Sequence, residues 1–211
     1  SYKRTVHPVM ASKNDDGDVI AHVGDNSSSR LYTDNTNISL EDGDETLDLT
    51  LTNDEVSWGH GSVTVDSGHR LIIDAKKGKD KIILHGKFDH NIEILGGDGD
   101  DEIDLSGLEM ADGYYVVIWG GAGNDKIKAA KGLNIIFGDD GAYTPLDKEN
   151  KEKEKGAKFE DGDRFVVEGK FNAGVSGDDI ILGNTGSQVI IGGVGSDKIR
   201  GKEGDNVILG D

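Results

Sequence analysis

Aliphatic residues recur along this chain at intervals of about nine or ten residues, each within a short segment bounded by Gly, Asp or Asn. Such segments between turn-forming residues are typical of short strands in a solenoid or a sandwich. The fixed period favours a solenoid, because it means that one structural unit is repeated and stacked. The recurring positions of the first half are Ile38, Leu47, Val56, Val65, Ile72, Ile82, Ile92 and Ile103.

The period is clearest from residue 174 to residue 211, where it is nine residues. Glycine occupies positions 174, 183, 192, 201 and 210, and again 177, 186, 195 and 204, while isoleucine occupies 181, 190, 199 and 208. Three segments match the form GGxGxDxUx without exception, where U is a large aliphatic residue: 96–104, 120–128 and 192–200.

Each unit combines a turn with a possible metal ligand. Glycine at positions one, two and four lets the backbone turn so that carbonyl oxygens come together, and Asp at position six adds a carboxylate. The next three residues form a short strand whose middle side chain points inward. Oxygens from two stacked turns suit Ca²⁺, which takes six to eight oxygen ligands.

The sequence therefore predicts several Ca²⁺ ions bound at these turns. The candidate ligand residues are Asp80, Gly97, Gly99, Asp101, Gly121, Gly123, Asp125, Asp139, Gly141, Asp163, Gly177, Asp179, Gly193, Gly195 and Asp197.

The three units make the chain resemble the RTX (repeats in toxin) family of calcium-binding nonapeptide repeats. The resemblance is strong over residues 96–142 and 163–211 and weak before residue 75. It implies a parallel β-roll that binds calcium and belongs to a bacterial protein exported by type I secretion. The parent proteins of such repeats include toxins, proteases, lipases, surface-layer proteins and adhesins.

These patterns predict an all-β chain that forms a parallel β-roll or β-solenoid with coils of about 18 residues. We expect residues 1–74 to form degenerate N-terminal coils or a cap, and residues 75–211 to form the RTX-like roll. The unit that begins at Gly138 lacks its Asp, and Asp163 supplies the missing half, which predicts an inserted charged loop at 143–162.

If two units complete one coil, alternate turns share an edge of the solenoid. Calcium is then predicted in single file along one edge, and the other edge should be metal-poor. Position six of the first edge is Asp80, Asp101, Asp125, Asp163, Asp179 and Asp197, and that of the second is His90, Val116, Asn134, Gln188 and Asn206.

One outward face is apolar in the same register. Such a strip could meet neighbouring copies or other surface proteins. Its members are Val117, Trp119, Ile135, Phe137, Val189, Ile191, Val207 and Leu209.

Composition supports a metal-dependent fold. The chain has 41 acidic and 23 basic residues, and its net charge of -18 opposes compaction unless cations neutralise it. This charge disfavours nucleic acid as a partner. Cysteine is absent, which excludes disulfides and thiolate sites.

There is no apolar run long enough to span a membrane, and Asp211 falls within a repeat, so we expect a segment of a longer secreted or cell-surface protein.

Two classes of function remain. The first is a non-catalytic calcium-binding module, structural or adhesive, which folds and becomes rigid in extracellular calcium. The second is a polysaccharide-acting β-helix enzyme, a lyase or an epimerase, or its accessory module. The motifs HExxH, GxSxG and GxxxxGK[ST] are absent, and coils of about 18 residues leave no groove for a polymer, so the module is favoured over the enzyme.

Overall fold

The computed structural model describes residues 7–30, 43–172 and 174–210, so Ile38 lies outside the described residues. The chain is all-β, as predicted, and the one helix among these residues is a 3-10 helix, Gly24–Arg30. The strands in chain order are β1 Ala11–Lys13, β2 Val19–Ala21, β3 Thr46–Asn53, β4 Glu55–Ser57, β5 Ser62–Thr64, β6 Leu71–Asp74, β7 Lys81–Phe88, β8 Ile92–Asp98, β9 Glu102–Met110, β10 Tyr115–Ala122, β11 Lys126–Lys128, β12 Leu133–Phe137, β13 Asp140–Leu146, β14 Arg164–Lys170, β15 Ile180–Leu182, β16 Gln188–Ile191, β17 Lys198–Arg200 and β18 Asn206–Leu209.

Most strands belong to two eight-stranded sheets, and from β6 to β12 successive strands alternate between them. The first sheet has the order β1-β2-β6-β8-β10-β12-β16-β18, and the second has the order β17-β15-β11-β9-β7-β3-β4-β5. From β6 onward in the first sheet, and from β3 through β17 in the second, neighbouring strands are parallel.

The aliphatic positions of the repeat form a narrow core between the sheets. In the second sheet Leu47, Ile82, Ile103, Ile127, Ile181 and Ile199 follow one another in register. The first five are at most 1% exposed, and they pack with inward residues of the first sheet such as Ile94 and Ile136. The core is thinner towards the C-terminus, because β3 buries Leu47, Leu49 and Leu51 whereas β11 and β15 each bury a single isoleucine. A core of this kind suits a sequence with only 34% hydrophobic residues.

The spacing of equivalent residues varies along the second sheet. Position-six residues in neighbouring strands are 21, 24 and 18 residues apart for the pairs Asp80–Asp101, Asp101–Asp125 and Asp179–Asp197. The predicted spacing of about 18 residues therefore describes the C-terminal strands, and the upstream connections are longer.

The N-terminal part of each sheet ends in antiparallel strands. Strand β1 pairs with β2 in one sheet, and β4 pairs with both β3 and β5 in the other. Both sheets thus continue across residue 75, and the predicted division of the chain at that residue stays a prediction.

Residues 140–170 form a hairpin where the sequence predicted an inserted charged loop. Strands β13 and β14 pair antiparallel from Asp140–Lys170 to Leu146–Arg164. The charged residues 148–155 lie in the connection between the strands. Aromatic side chains at both ends of that connection, Tyr143, Phe159 and Phe165, pack together on the outside of the first sheet.

The hairpin covers much of the apolar strip that was predicted to meet a partner. Val117, Ile135 and Phe137 are fully buried in a second cluster with Tyr143 of the hairpin, and Ile191 is 4% exposed. The indole of Trp119 stacks on Phe137 and donates a 3.0 Å hydrogen bond to the carbonyl of Gly141. For these residues the expectation of an exposed face was wrong, because the chain supplies its own cover. Val207 and Leu209 remain more than half exposed.

No helical segment in the part of the chain that the structure describes has the length and apolar character needed to cross a membrane.

Candidate metal centre

A ladder of carboxylates runs along one edge of the second sheet, at the residue before each strand. Asp80, Asp101, Asp125 and Asp179 are each at most 2% exposed. The Oδ1 atom of each accepts a hydrogen bond of 2.8 Å from the backbone N–H of the preceding member, and Asp197 accepts one of 2.9 Å from Asp179. The backbone therefore fixes the orientation of every carboxylate.

The second oxygen of these carboxylates lacks a donor. The Oδ2 atoms of Asp101, Asp125, Asp179 and Asp197 are buried and have no hydrogen-bond partner among the described residues. A buried carboxylate oxygen without a donor or a cation is unfavourable, since its lost hydration is not replaced. Four repetitions of the same feature indicate that each position suits a positively charged partner.

The Oδ2 atoms of Asp101, Asp125 and Asp179 each share a small space with a backbone carbonyl of the neighbouring turn. A methyl group added to Gly96 would lie 2.5 Å from both Asp101 Oδ2 and the carbonyl oxygen of Gly120. A methyl on Gly120 would likewise meet Asp125 Oδ2, at 2.5 Å, and the carbonyl oxygen of Gly138. A carboxylate oxygen and a carbonyl oxygen from adjacent turns therefore face one point.

The turn backbone explains why glycine occupies positions two and four. Gly121 and Gly123 have φ values of 106° and 125°, in the left-handed region that disfavours other residues. Methyl groups there would also collide with the carbonyl oxygens of Gly97 and Gly99 in the preceding turn. The predicted residues Gly97, Gly99, Gly193 and Gly195 share the positive φ, and Gly177 stacks against the carbonyl of Gly123.

Burial raises the pKa of the ladder carboxyls. The pKa rises to about 6 for Asp101, about 8 for Asp125 and about 7 for Asp179. In each case desolvation is the main cause, repulsion by neighbouring aspartates adds to it, and the backbone hydrogen bond partly opposes it. A bound cation would reverse this effect by favouring the ionised carboxylate.

A second, exposed ladder at position five was not predicted. Oδ1 of Asp44 accepts from Lys79 N–H, and Asp100 from Asn124 N–H, at 2.8 and 2.9 Å. Asn124 and Asp178 in turn accept from Asp178 and Ser196 N–H, each at 2.8 Å. The recurrence of Asp, Asn or Ser just before position six was the available signal. These side chains hold the stacked turns in register from the solvent side.

At the N-terminal end of the buried ladder, the position-six carboxylate is paired with an arginine. Glu45 occupies position six there, and its backbone N–H donates to Asp80 Oδ1. Its carboxylate accepts hydrogen bonds from Gly24 N–H at 2.6 Å and from the Arg30 guanidinium. The segment Gly43-Asp44-Glu45 matches Gly99-Asp100-Asp101 except that Glu replaces Asp at position six. This match was the available sequence signal for Glu45.

Two predicted ligands lie outside this arrangement. Asp125 pairs directly with Asp179, so Asp163 is not a member of the ladder. It lies in the hairpin instead, where its carboxylate forms an ion pair with Lys153 that lowers its pKa. Gly141 is in strand β13 rather than in a turn. Their predicted positions were wrong because the hairpin separates residues 140–170 from the stack.

Asp139 lies at the point where the chain leaves the stack for the hairpin. It is 2% exposed, its Oδ2 accepts a short hydrogen bond from Val194 N–H, and its Oδ1 is buried without a partner. Its carboxylate occupies the space above Gly193, whereas above Gly121 the corresponding atom is the carbonyl oxygen of Gly97. A side-chain oxygen thus takes the place of a backbone oxygen at this turn.

The donor set fits calcium better than a side-chain metal such as zinc. Among the described residues, no three His, Cys, Asp or Glu side chains gather in a group that could hold a metal ion. The available donors are instead single carboxylates and the carbonyls of successive turns, which are the hard oxygens that Ca²⁺ takes in numbers. The residues present therefore fit this ion.

The family comparison agrees with this chemistry. A family model described as the RTX calcium-binding nonapeptide repeat matches residues 117–145 and 174–211, in four copies. No curated protein and no solved structure gives a significant match to the chain. The unit that starts at Gly96 lies before the matched residues, although its ladder geometry is the same. Residues 117–145 and 174–211 are therefore similar to RTX calcium-binding nonapeptide repeats.

Proposed function

We propose that the chain is a calcium-binding β-roll module of a larger protein, in which ions in single file join successive coils along the aspartate edge. The observation that carries this proposal is the set of four buried Oδ2 atoms without donors, each facing a space shared with a carbonyl or glycine of the stacked turns. The parallel pairing of strands that alternate between two sheets supports the β-roll.

The residues that would hold the ions are those that the fold already orients. Asp101, Asp125, Asp179 and Asp197 would each present Oδ2, because Oδ1 is held by the backbone N–H of the neighbouring coil. Carbonyls of the turn glycines would complete the donor set. The bound ion supplies positive charge between these oxygens, and Asp139 would contribute a carboxylate where the hairpin interrupts the turn.

Folding would then depend on calcium. A net charge of -18 and a thin core leave the ion-free chain weakly stabilised, so ion binding becomes part of the folding free energy. A chain that stays loose at low calcium suits export in an unfolded form, and the higher calcium outside the cell would complete the fold. We therefore place the module in a secreted or cell-surface bacterial protein, with a structural or adhesive role and no catalytic one.

Calorimetric titration with CaCl₂, with circular dichroism recorded in parallel, tests this function. We expect several ions to bind per chain and the β signal to increase on addition. Asp125→Ala should bind fewer ions than the wild type. Asp163→Ala is the matched control, because it removes the same charge outside the ladder and should leave the stoichiometry unchanged. An Asp125→Ala chain with wild-type stoichiometry would contradict the site.

A further inference from the structure

The opposite edge of the molecule has a ladder of its own that is built from amides. Val116, Asn134, Gln188 and Asn206 are in register at the start of successive strands of the first sheet. Ile92 rather than the predicted His90 aligns with Val116. Asn134 is fully buried and Gln188 is 1% exposed. Position six on this edge is therefore aliphatic upstream and an amide in the last three coils.

The NH₂ groups of all three amides make the same contacts. Asn134 Nδ2 donates to the carbonyls of Ala130 and Gly132, at 2.8 and 3.3 Å. Gln188 Nε2 donates to Asn184 and Gly186, and Asn206 Nδ2 to Lys202 and Gly204, at distances between 2.5 and 3.2 Å. Each NH₂ group thus joins the carbonyls four and two residues before it, in the middle of its own turn.

The turns on the two edges share their backbone geometry at position four but not at position two. Position two of the aspartate edge includes glycines with positive φ, such as Gly121 at 106°, whereas on the amide edge it is Ala130, Asn184 or Lys202, none of which has a positive φ. Gly132, Gly186 and Gly204 at position four have φ values of 115°, 118° and 135°, close to the 125° of Gly123 on the aspartate edge. A methyl group on Gly186 would meet the carbonyl of Gly132, just as one on Gly123 would meet the carbonyl of Gly99. The edges therefore differ at positions two and six, and on the amide edge the side chain at position six is the one that contacts the turn carbonyls.

The difference at position six decides what can bind the turn carbonyls. A carboxylate has no proton to donate, so carbonyls that converge beside it need a cation, whereas an amide NH₂ supplies two donors by itself. Arg30 plays a comparable part for Glu45 at the end of the other ladder. The amide oxygens differ from one another: Asn134 Oδ1 accepts Ala130 N–H at 3.1 Å, whereas Gln188 Oε1 and Asn206 Oδ1 are buried without a hydrogen-bond partner among the described residues.

We infer that the amides at positions 134, 188 and 206 take the place of the metal ion: their NH₂ groups satisfy the turn carbonyls, so these turns form without calcium. The identity of the residue at position six then determines whether a turn is a divalent-cation site. Asn134→Asp should create a new site on the amide edge, and Asp125→Asn should convert a cation site into a metal-free turn. This inference rests on the proposed function for the aspartate edge.

The test is calcium titration of Asn134→Asp, measured as ions bound per chain. We expect the variant to bind more ions than the wild type, and its melting temperature to be lower in a chelator and restored by CaCl₂. Thr185→Asp is the matched control, because it adds one carboxylate on the same edge at an exposed position and should add no ion. Unchanged stoichiometry in Asn134→Asp, with the wild-type sites still titrating, would overturn the inference.

The reciprocal variant covers the case in which Asn134→Asp does not fold. In a chelator above pH 8, where the Asp125 carboxyl is ionised and cannot donate, Asp125→Asn should melt at a higher temperature than both the wild type and Asp125→Ala, since only the asparagine supplies donors to the turn. Equal melting of Asp125→Asn and Asp125→Ala would overturn the inference. A wild-type chain that binds no calcium would instead refute the proposed function, and the comparison in chelator would still decide whether an amide closes the turn.

Discussion

The backbone N–H of Asp125 donates a 2.8 Å hydrogen bond to the carboxylate of Asp179, although 54 residues separate them. The next bond of the ladder, from Asp179 to Asp197, spans 18 residues and has nearly the same length. The hairpin at residues 140–170 is therefore accommodated outside the stack, and the file of carboxylates continues past it. The proposed calcium sites require that continuity, because each ion would be shared by two turns.

The first prediction concerns Asp179 at the coil where the hairpin is inserted. Asp179→Ala removes both the ladder acceptor and the proposed ligand, so we expect calcium stoichiometry to fall and the calcium-loaded protein to lose about 2 kcal/mol of stability. Denaturant unfolding in excess CaCl₂ measures the loss. Asp104→Ala, which removes a carboxylate paired with Lys128 on the outer face, should cost less than about 1 kcal/mol. Equal losses would argue against a role for the ladder.

The second prediction tests the space beside the carboxylates. Gly120→Ala places a methyl group between Asp125 Oδ2 and the carbonyl of Gly138, and Gly120 has no positive φ that would add strain. We expect calcium affinity at that site to fall by at least about tenfold, which corresponds to about 1.4 kcal/mol. The control is Gly107→Ala, where the added methyl would make only ordinary contact with His85. Unchanged affinity in Gly120→Ala would show that the ion does not occupy this space.

The third prediction concerns the hairpin that covers the apolar face. Phe165 contacts Tyr115 at a ring distance of 4.9 Å and stacks on Phe159 at 4.4 Å. Phe165→Ala should lower stability by about 2 kcal/mol and increase the binding of a hydrophobic dye, because the cover over Val117 and Phe137 loosens. Val166→Ala alters the neighbouring, exposed side of β14 and should change neither measurement. Equal effects of the two substitutions would contradict this packing.

The fourth prediction is a pH dependence that calcium reverses. In the calcium-free protein the pKa values of Asp101, Asp125 and Asp179 are raised to about 6, 8 and 7, whereas the ordinary value is 3.8. Between pH 3.8 and about 8 the folded state therefore binds more protons than the unfolded state. The stability that these three carboxyls contribute is fully present below pH 3.8 and is lost as the pH rises towards 8. The aspartates 98, 100, 139, 178 and 197 add to the repulsion.

Melting curves in a chelator at pH 5 and pH 8 check this dependence. We expect the calcium-free protein to melt at a higher temperature at pH 5. In excess CaCl₂ the order should be reversed, because protons compete with the ion for the same oxygens. A calcium-free protein that is more stable at pH 8 would contradict the burial of unpaired carboxylates.

The nine-residue period was sufficient to predict an all-β chain and to place Asp101, Asp125, Asp179 and Asp197 along one edge. Both follow from local features, namely the turn glycines and the alternation within short strands. The position of Asp163 was not predictable in this way. The segment Asp163-Arg164-Phe165 is similar to positions six to eight of a repeat, with an aromatic residue in place of the aliphatic one. The pairing of β13 with β14, which the sequence does not show, places Asp163 outside the stack.

The cover over the apolar face was missed for a related reason. The charged residues 148–155 dominate the sequence of the insertion, whereas packing depends on three aromatics, Tyr143, Phe159 and Phe165, that lie outside that run. Contact between an insertion and a sheet is a tertiary property, and an apolar outward strip beside an insertion that carries aromatics is the signal that could have indicated it.

The central claim is tested most directly by a crystal structure grown in excess calcium, with anomalous scattering used to locate the ions. We predict a single file of calcium peaks, each beside the Oδ2 atom of Asp101, Asp125, Asp179 or Asp197, and none within the turns closed by Asn134, Gln188 and Asn206. Calcium-loaded crystals without ions at the four aspartates would contradict the account.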